Sequence, residues 1–299
     1  MENNKNDKSI IKIIDTAKRL SKKQKDSIVD IIYENLVRKN KGKYLEVKVK
    51  SVNKIDGKPN FYIAYLAHSE TYTFDVLKFN IRENELTEIE WDFDEDEDSE
   101  ETEDEDNSKN PTQPPEDLTE PAIEPEIQFV VGTAFDQVAT AVEAVNNIAE
   151  YAKLAKLNVV TLIGEEATVA AYKKYLASPS VMAFCNIGHG NKQGIMLTDG
   201  SLTYKWFNSL KNELRPTVIY FNSCITYNNP LWQSIMTHGT RTYIAGKIKL
   251  KIGISEQITS SFWLEVLNEK NKMLATVNEG NLVEPLKVNF GLAGDGGVF

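Results

Sequence analysis

The spacing of apolar residues changes once along the first third of the chain. Over residues 9–40 they recur at roughly helical intervals, as at Ile28 and Ile32, with lysine and aspartate on the opposite side. This pattern predicts one or two amphipathic helices. From Leu45 onward, apolar and polar residues alternate in short runs broken by turn residues, which is typical of half-buried antiparallel strands. Together the two patterns predict a small α+β domain over residues 1–93.

The sequence pattern changes at residue 127, from where short apolar runs alternate with amphipathic stretches. The runs predicted as strands are, in order, IQFVVG, NVVTLIG, SVMAFCNIG, TVIYFN and RTYIAG. Helices are predicted between the first three, over residues 136–157 and 165–176. Strands this apolar, alternating with helices, are typical of a parallel sheet covered on both faces. Residues 126–299 are therefore predicted to form an α/β domain, with its active site beyond the carboxyl ends of the strands.

The segment between these two regions is strongly acidic. Residues 88–126 hold 19 Asp and Glu against a single Lys, and prolines crowd the second half. Charge repulsion and proline both oppose a packed core, so residues 94–125 are predicted to be a disordered linker. This segment produces the net charge of −10, because residues 1–60 carry a net charge of +8 and residues 127–299 one of +2. The overall acidity therefore says little about the partners of either domain.

The composition is that of an ordinary globular protein, since 41% of the 299 residues are hydrophobic and 26% are charged. No run approaches the ~18 consecutive apolar residues of a membrane span. The polar start MENNKNDKSI lacks the apolar core of a signal peptide. Only two cysteines are present, so no disulfide framework is expected. These features favour a cytoplasmic protein with reduced thiols.

Several classes of site are excluded because the sequence lacks their motifs. The chain has no Gly-x-Ser-x-Gly nucleophile elbow, no Gly-x-x-x-x-Gly-Lys-Ser/Thr phosphate loop and no Gly-x-Gly-x-x-Gly after the first strand. Its three histidines and two separated cysteines lack the spacing of a zinc site. The residues therefore argue against a serine nucleophile elbow, against these nucleotide-binding loops and against a zinc site.

Reactive side chains follow the third and fourth predicted strands. The third strand ends in the sequence NIGHG, which contains His189. The fourth strand ends in NSC, which contains Cys224. If these strands are neighbours in the sheet, both side chains emerge at the same edge. There an imidazole that titrates near ~6.5 can take the proton of a thiol whose pKa is ~8.5. The glycines beside His189 permit a tight turn, and the backbone N–H groups of Gly190 and Cys224 are then placed to form an oxyanion hole.

An apolar strand that ends in Gly-His-Gly, followed by one that ends in Asn-Ser-Cys, resembles the caspase-like cysteine peptidases. VVTLIGEEATVAAYKKYL is similar to the strand and helix before the histidine in CHAT-like and gingipain-like members. FGLAGDGG is similar to the ending of several gingipain-like domains, with Gly296 where proline is frequent. The resemblance covers about residues 126–299 and does not reach residues 1–125. It implies a caspase-like three-layer domain, a cysteine endopeptidase that hydrolyses protein or peptide substrates with His189 as base and Cys224 as nucleophile, without a cofactor.

The resemblance also implies which segments line the substrate cleft, because the segment after the fifth strand contributes to it in caspase-like enzymes. The candidate substrate-binding residues are Asp136, Gly188, Ala245, Gly246 and Lys247. Two of them have alternative interpretations. Asp136 also suits a helix N-terminus, and Lys247 begins the alternation KIKLK, typical of a strand with one solvated face. A pocket for a basic residue needs a buried acid, and the sequence leaves that acid open among Asp136, Asp199 and Glu256.

Other functions compete with a peptidase. A degenerate member of the same fold would bind without cleaving, as a catalytically inactive interaction module recruited through residues 1–93, which are also the candidate contact for a regulatory partner. Nucleic-acid binding by residues 1–60 is disfavoured, because the lysines are spread around the predicted helices and an acidic linker is tethered nearby. The other reactive side chains have structural interpretations: Cys185 as a buried core thiol, His238 at a helix end and His68 on the surface.

Overall fold

The structure is a computed structural model that describes residues 7–15, 20–53, 59–82, 85–88, 126–210, 214, 216–269 and 290–294. The predicted linker, residues 94–125, lies outside these ranges. The described residues form two larger sheets, one on each side of that segment, and the main hydrophobic core draws residues from both. In the part of the chain so described, no helix is both long enough and apolar enough to cross a bilayer.

The first sheet has its strands in the order of the chain. They are β1 (Ile11–Ile14), β2 (Tyr44–Asn53), β3 (Pro59–His68), β4 (Phe74–Arg82) and β5 (Glu85–Glu88). Strands β2 to β5 form an antiparallel meander, as the alternating pattern predicted, and β1 joins the edge of β2 in parallel. Helix α1 (Lys22–Ile32) packs on this sheet, because its Ile28 and Ile32 share a core cluster with Val47 and Phe79.

The helical prediction for residues 9–40 is right from Lys22 to Asn40 and wrong for Ile11–Ile14. Ser21 and Gln24 form a capping box at the start of α1: the Ser21 hydroxyl accepts the Gln24 N–H at 3.3 Å, and the Gln24 side chain accepts the Ser21 N–H at 2.9 Å. Residues Ile11–Ile14 form a strand instead. Three isoleucines among four residues favour the extended conformation, and the edge of β2 supplies their hydrogen-bonding partners.

The second sheet lies beyond residue 126. The strands of this region are β6 (Phe129–Thr133), β7 (Val159–Ile163), β8 (Ala183–Ile187), β9 (Gly190–Asn191), β10 (Gly194–Met196), β11 (Ser201–Thr203), β12 (Val218–Asn222), β13 (Thr242–Gly246) and β14 (Phe290–Gly294). Its helices are α2 (Ala139–Leu154), α3 (Val169–Leu176), α4 (Tyr204–Ser209), α5 (Leu231–Thr237) and α6 (Ile254–Glu269). Six strands build one sheet in the order β14-β13-β12-β8-β6-β7, parallel except for β14, while β9 to β11 form a small antiparallel sheet. The prediction of an α/β fold with a mostly parallel sheet is confirmed.

Helices cover both faces of the larger sheet. Tyr220 of β12 faces α6, where its ring packs against Phe262 and Trp263. Phe184 of β8 is paired with the residue before Tyr220, so it faces the opposite way and meets Tyr172 of α3. Strand β7 lies on one side of β6 and β8 on the other, so the chain reverses its direction across the sheet. The carboxyl ends of β6 and β8 therefore flank a switch point, which is where ligands bind in open α/β sheets.

Candidate active site

The carboxyl ends of β8 and β12 lie side by side. The two strands are parallel neighbours, and Ile187 is paired with Asn222, the last residue of each. Gly188 extends the ladder by donating its N–H to the carbonyl of Asn222 at 3.0 Å. His189 and Cys224 each lie two residues beyond the end of their strand. The sheet register therefore brings both to the same edge, and the condition on which the sequence prediction depended is met.

His189 is fully buried in an aromatic cage. Its ring centroid lies 4.3 Å from that of Phe135 and 5.3 Å from that of Tyr72. Nε2 is 2.9 Å from the carbonyl oxygen of His68, which can only accept, so Nε2 carries the proton. Burial lowers the pKa of His189 to about 3, and the hydrogen bond to His68 offsets this only in part. The ring is therefore neutral, and its unprotonated Nδ1 has no hydrogen-bond partner among the described residues.

Cys224 is buried and protonated. Its Sγ accepts the N–H of Leu250 at 2.9 Å and lies 3.6 Å from the carbonyl oxygen of the same residue. Burial raises the pKa of the Cys224 thiol to about 12, although the nearby backbone N–H groups of Leu250 and Tyr72 lower it in part. Within the described residues no hydrogen bond joins Cys224 to His189. The two side chains thus share one edge of the sheet without forming an ion pair.

The backbone N–H groups of Gly190 and Cys224 converge on one oxygen atom. It is the carbonyl oxygen of Tyr72, which accepts from Gly190 at 2.8 Å and from Cys224 at 3.3 Å. This approach requires glycine at position 190, because a Cβ there would lie 2.7 Å from Cβ of Ser223 and 2.7 Å from Cγ2 of Thr226. The two amides singled out in the sequence therefore meet on a carbonyl group from the N-terminal sheet.

The backbone just after Cys224 is strained. Ile225 has a φ of 59°, a left-handed conformation that costs a β-branched residue of order 1–3 kcal/mol. Hydrogen bonds hold the turn in this form. Ile225 donates its N–H to the carbonyl of Ile248 at 3.2 Å, and Tyr227 donates to that of Gly246 at 3.0 Å. Strain maintained by its surroundings in this way is typical of functional sites.

The Tyr72 carbonyl belongs to the β3–β4 turn, Ser69–Thr73, which pairs with the loop after β13 as a short strand. Tyr72 donates its N–H to the carbonyl of Leu250 at 3.1 Å. Two residues along each segment, Ile252 donates its N–H to the carbonyl of Glu70 at 3.4 Å. The two segments form an antiparallel bridge between these bonds. The β3–β4 turn therefore lies between the loop after β13 and the amide of Gly190.

The side chain of Tyr72 fills a buried pocket that ends at Glu256. Tyr72 is fully buried, burial raises its pKa, and its hydroxyl donates to Oε1 of Glu256 at 2.6 Å. The Thr140 hydroxyl donates to the same oxygen at 2.8 Å. The Gly253 N–H at 2.7 Å and the Ser255 hydroxyl at 3.1 Å donate to Oε2. Glu256 is only 2% exposed, and no ion pair joins its carboxylate to a Lys, Arg or His among the described residues.

The end of β13 and the loop after it lie against the β3–β4 turn and Cys224. Ala245 and Gly246 are buried at the end of the strand, and a Cβ at position 246 would lie 2.4 Å from the carbonyl oxygen of Ser223. Lys247 is exposed at the start of the loop. The strand that the KIKLK alternation favoured is wrong, because this segment is a loop whose Leu250 turns inward against Cys224. Gly188, the remaining candidate at this edge, is buried at the end of β8.

Of the three acids left open by the sequence, Glu256 is the one bonded to the β3–β4 turn. Asp136 is exposed after β6, with its carboxylate beside Gly164. Asp199 accepts the N–H of Val169 at 2.8 Å and so caps α3. A role for Asp136 in contacting substrate stays a prediction, since no hydrogen bond among the described residues joins it to the cleft.

The structural interpretations of the other reactive side chains hold for two of three. Cys185 is fully buried in β8, and burial raises the pKa of its thiol. His238 ends α5, as expected. The surface position expected for His68 is met in part: its ring is 20% exposed and bonded to the exposed Asp75 at 2.9 Å, while its carbonyl faces His189.

Sequence reasoning missed the contribution of the N-terminal sheet to this site. The family resemblance begins at residue 126, yet His68 and Tyr72 contact the candidate catalytic residues directly. One signal was available, because the turn sequence SETYT carries a single large aromatic residue among polar ones. A fully buried aromatic side chain in a turn indicates a binding partner elsewhere in the fold.

Within the described residues, no group of three or more His, Cys, Asp and Glu side chains is arranged to hold a metal ion. Compared with protein-family models and with curated proteins, the sequence matches neither a family nor a relative.

Proposed function

We propose that this chain is a cysteine endopeptidase with a caspase-like catalytic domain, and that its own β3–β4 turn fills the cleft in the state described. The observation that carries the proposal is the carbonyl of Tyr72, which accepts the backbone N–H groups of both Gly190 and Cys224. Two converging amide donors beside a thiol are the arrangement that stabilises the oxyanion of acyl transfer. The Gly-His-Gly and Asn-Ser-Cys motifs, which resemble those of caspase-like peptidases, support peptide bonds as the substrate.

The β3–β4 turn occupies the cleft in the manner of a bound peptide. Its backbone pairs with the loop after β13, its Tyr72 carbonyl lies on the two amides, and its Tyr72 side chain enters a pocket. Addition of an extended segment to an exposed backbone edge is a common mode of peptide recognition. In this arrangement the bond between Tyr72 and Thr73 stands where the scissile bond of a substrate would lie.

The chemistry follows from the atoms that surround this bond. Sγ of Cys224 attacks the substrate carbonyl carbon, Nδ1 of His189 accepts the thiol proton, and the amides of Gly190 and Cys224 hold the oxyanion. His189 then returns the proton to the leaving amine as the C–N bond breaks, which leaves a thioester on Cys224. Water, deprotonated by His189, hydrolyses the thioester and regenerates the thiol.

The dyad is disengaged while the turn is bound. His189 donates through Nε2 to the carbonyl of His68, and burial keeps the pKa of Cys224 at about 12. Since His68 and Tyr72 both belong to the β3–β4 hairpin, its departure frees the two amides and admits water to the dyad. Solvation favours charged forms, so it lowers the pKa of the thiol and raises that of the imidazole. Activity therefore requires the turn to leave the cleft.

The substitution Tyr72→Gly tests this proposal. It removes the side chain that anchors the turn, a loss of roughly 3–5 kcal/mol of buried aromatic packing, and leaves the dyad and both amide donors in place. We expect the variant to cleave a peptide library at least about tenfold faster than the unaltered protein, because a larger fraction of molecules has an open cleft. Mass spectrometry of the products measures the rate, and adding Cys224→Ala or His189→Ala to this variant should abolish cleavage.

A catalytically inactive interaction module on the same fold is the second candidate. The absence of a hydrogen bond between His189 and Cys224 favours it. On this hypothesis, Tyr72→Gly protein that circular dichroism shows to be folded cleaves no library peptide. It also leaves Cys224 unlabelled by peptidyl acyloxymethyl ketones, which alkylate a catalytic thiol. That pair of results would exclude the peptidase.

A further inference from the structure

We propose that Glu256 determines which residue is accepted before the scissile bond, and that the cleft takes peptides with lysine or arginine at that position. The inference rests on the proposed function, because it uses the Tyr72 carbonyl to identify which side chain of a bound peptide enters the pocket. That side chain is the one attached to the residue whose carbonyl lies on the amides of Gly190 and Cys224. In the β3–β4 turn it is the side chain of Tyr72, and its hydroxyl contacts Glu256.

Most of the hydrogen bonds to the Glu256 carboxylate belong to the pocket itself. Thr140 donates to Oε1, while Gly253 and Ser255 donate to Oε2. These three donors stay in place when the β3–β4 turn departs, because none of them belongs to it. The fourth donor, the hydroxyl of Tyr72, is the one that leaves. A free acceptor position on Oε1 then faces the emptied pocket.

The charge of Glu256 is the reason to expect a cation there. Burying a carboxylate costs several kcal/mol unless a partner compensates it. Glu256 lies in the first turn of α6, where the helix N-terminus and the N–H of Gly253 offset part of that cost. No Lys, Arg or His among the described residues adds a full positive charge through an ion pair. To bind the neutral hydroxyl of Tyr72, a neutral acceptor such as an amide oxygen would suffice. The carboxylate is therefore matched to a cationic donor, whose charge-assisted hydrogen bond is roughly twice as strong as a neutral one.

Tyr72 reaches Glu256 but binds it more weakly than a cationic side chain would, so a substrate can displace it. Its hydroxyl lies about as far from the backbone as the ammonium of lysine, so it reaches the same carboxylate. Its burial raises its pKa and keeps the hydroxyl neutral. Tyr72 thus satisfies Glu256 with the weaker kind of bond, and a peptide that carries lysine or arginine can compete for the pocket.

Stability measurements test the pocket without requiring catalysis. Tyr72→Lys and Tyr72→Met place side chains of similar length in the pocket, one charged and one neutral. We expect the lysine variant to have the higher Tm, and Glu256→Gln to abolish that difference, since glutamine keeps the shape and removes the charge. A methionine variant as stable as the lysine variant, or a difference that survives Glu256→Gln, would overturn the inference.

Labelling of Cys224 tests selectivity in the Tyr72→Gly protein, where the anchor of the turn is gone. Two peptidyl acyloxymethyl ketones are compared, one ending in arginine and one in citrulline, which has nearly the same shape without the charge. The arginine probe is expected to label Cys224 roughly 10- to 100-fold faster, as for one charge-assisted hydrogen bond, and Glu256→Gln should remove the difference. Equal labelling by both probes overturns the basic specificity and leaves the peptidase standing. No labelling by either probe overturns the proposed function and the inference with it.

Discussion

His189 shows how one buried side chain links the candidate site to the stability of the whole fold. Its ring is enclosed by Phe135 and Tyr72, and Nε2 bonds to the carbonyl of His68, while Nδ1 has no hydrogen-bond partner in the part of the chain that the structure describes. Neither aromatic ring can compensate a positive charge as well as water does, so burial strongly favours the neutral imidazole. Protonation of His189 therefore works against the folded state.

We expect stability to fall as the pH falls below 6.5. The folded-state pKa of His189 is about 3, below its unfolded value of 6.5, so between these limits the unfolded chain binds a proton that the folded chain does not. The stabilisation is fully present above pH 6.5 and is lost as the pH falls toward 3. At ~1.4 kcal/mol per pH unit, about 2 kcal/mol disappears between pH 6.5 and 5. Urea unfolding across this range measures it.

A matched pair of variants assigns this loss to His189. His189→Gln should flatten the dependence on pH, because glutamine does not titrate, whereas His238→Gln should keep it. An unchanged slope in the His189→Gln protein would show that other groups cause the acid sensitivity.

At the residue scale, the sequence could predict His189 and Cys224 but not their neighbours. Both follow apolar runs that are recognisable as strands, so their position at one edge followed from topology. Tyr72 and Glu256 are 184 residues apart, and their contact depends on how the two sheets pack together. No local pattern encodes that packing. The sequence therefore left Glu256 as one of three candidate acids, and it did not single out Tyr72.

Among the elements, strand β2 carries a buried ion cluster that joins the two halves of the molecule. Lys48 of β2 is only 2% exposed, and its Nζ donates to the carbonyl of Leu197, just after β10, at 2.9 Å. Glu46 lies 3.4 Å from the same ammonium and is also paired with Lys12 at 2.6 Å. Burial lowers the pKa of Lys48 and the charge of Glu46 opposes this. The bond to Leu197 thus holds the N-terminal sheet in place from outside the cleft.

Lys48→Met tests whether this contact keeps the cleft filled. The substitution retains the length of the side chain and removes its charge, so the Leu197 carbonyl loses a charged donor. We expect the free energy of unfolding to fall by about 1–3 kcal/mol. We also expect iodoacetamide to alkylate Cys224 faster, because the displaced sheet carries the β3–β4 turn with it. Peptide mapping by mass spectrometry measures the alkylation of each thiol.

Lys50→Met is the control for this prediction. Lys50 lies on the same strand and is exposed, so the same change of side chain should leave stability and alkylation nearly unaltered. Equal alkylation rates in the two variants would mean that the Lys48 contact does not keep the turn in the cleft.

The most predictable elements were the parallel strands of the larger sheet. The five apolar runs after residue 127 correspond to β6, β7, β8, β12 and β13, because such strands need uninterrupted apolar residues. Strand β1 was not predicted, since it depends on an edge that β2 supplies. Strands β9 to β11 span only two or three residues each, too few to show a period. The alternating lysines after β13 form a loop, in which Leu250 turns inward and donates its N–H to Cys224.

Over the whole molecule, the β3–β4 turn joins the N-terminal sheet to both sides of the cleft. On one side, Tyr72 donates its N–H to Leu250 in the loop after β13. On the other side, the Tyr72 carbonyl accepts the N–H groups of Gly190 and Cys224. The N–H of Ile252 closes the same set of bonds by donating to the turn. A single departure of the turn breaks all four bonds together.

Hydrogen exchange is expected to report this departure as one event. The amides of Tyr72, Gly190, Cys224 and Ile252 should share one opening free energy, because they lose their partners at once. Tyr72→Gly should speed exchange of the last three by a similar factor, roughly 100-fold or more, since a buried aromatic anchor is lost. The amide of Tyr220, inside β12, serves as the control for global unfolding. A Gly190 amide that exchanged at its original rate in the variant would contradict the shared opening.

The β3–β4 turn has one further consequence, which concerns concentration. Because the chain itself connects the turn to the cleft, the turn competes at a local concentration that dilution of the protein does not lower, commonly millimolar for short tethers. A free peptide must compete with that high local concentration of the turn before it can bind the amides of Gly190 and Cys224. Cutting the backbone anywhere between residues 88 and 126 would turn the same contact into an ordinary association of two molecules. Such a cut alters no atom of the cleft, yet it makes occupancy of the cleft depend on how dilute the protein is.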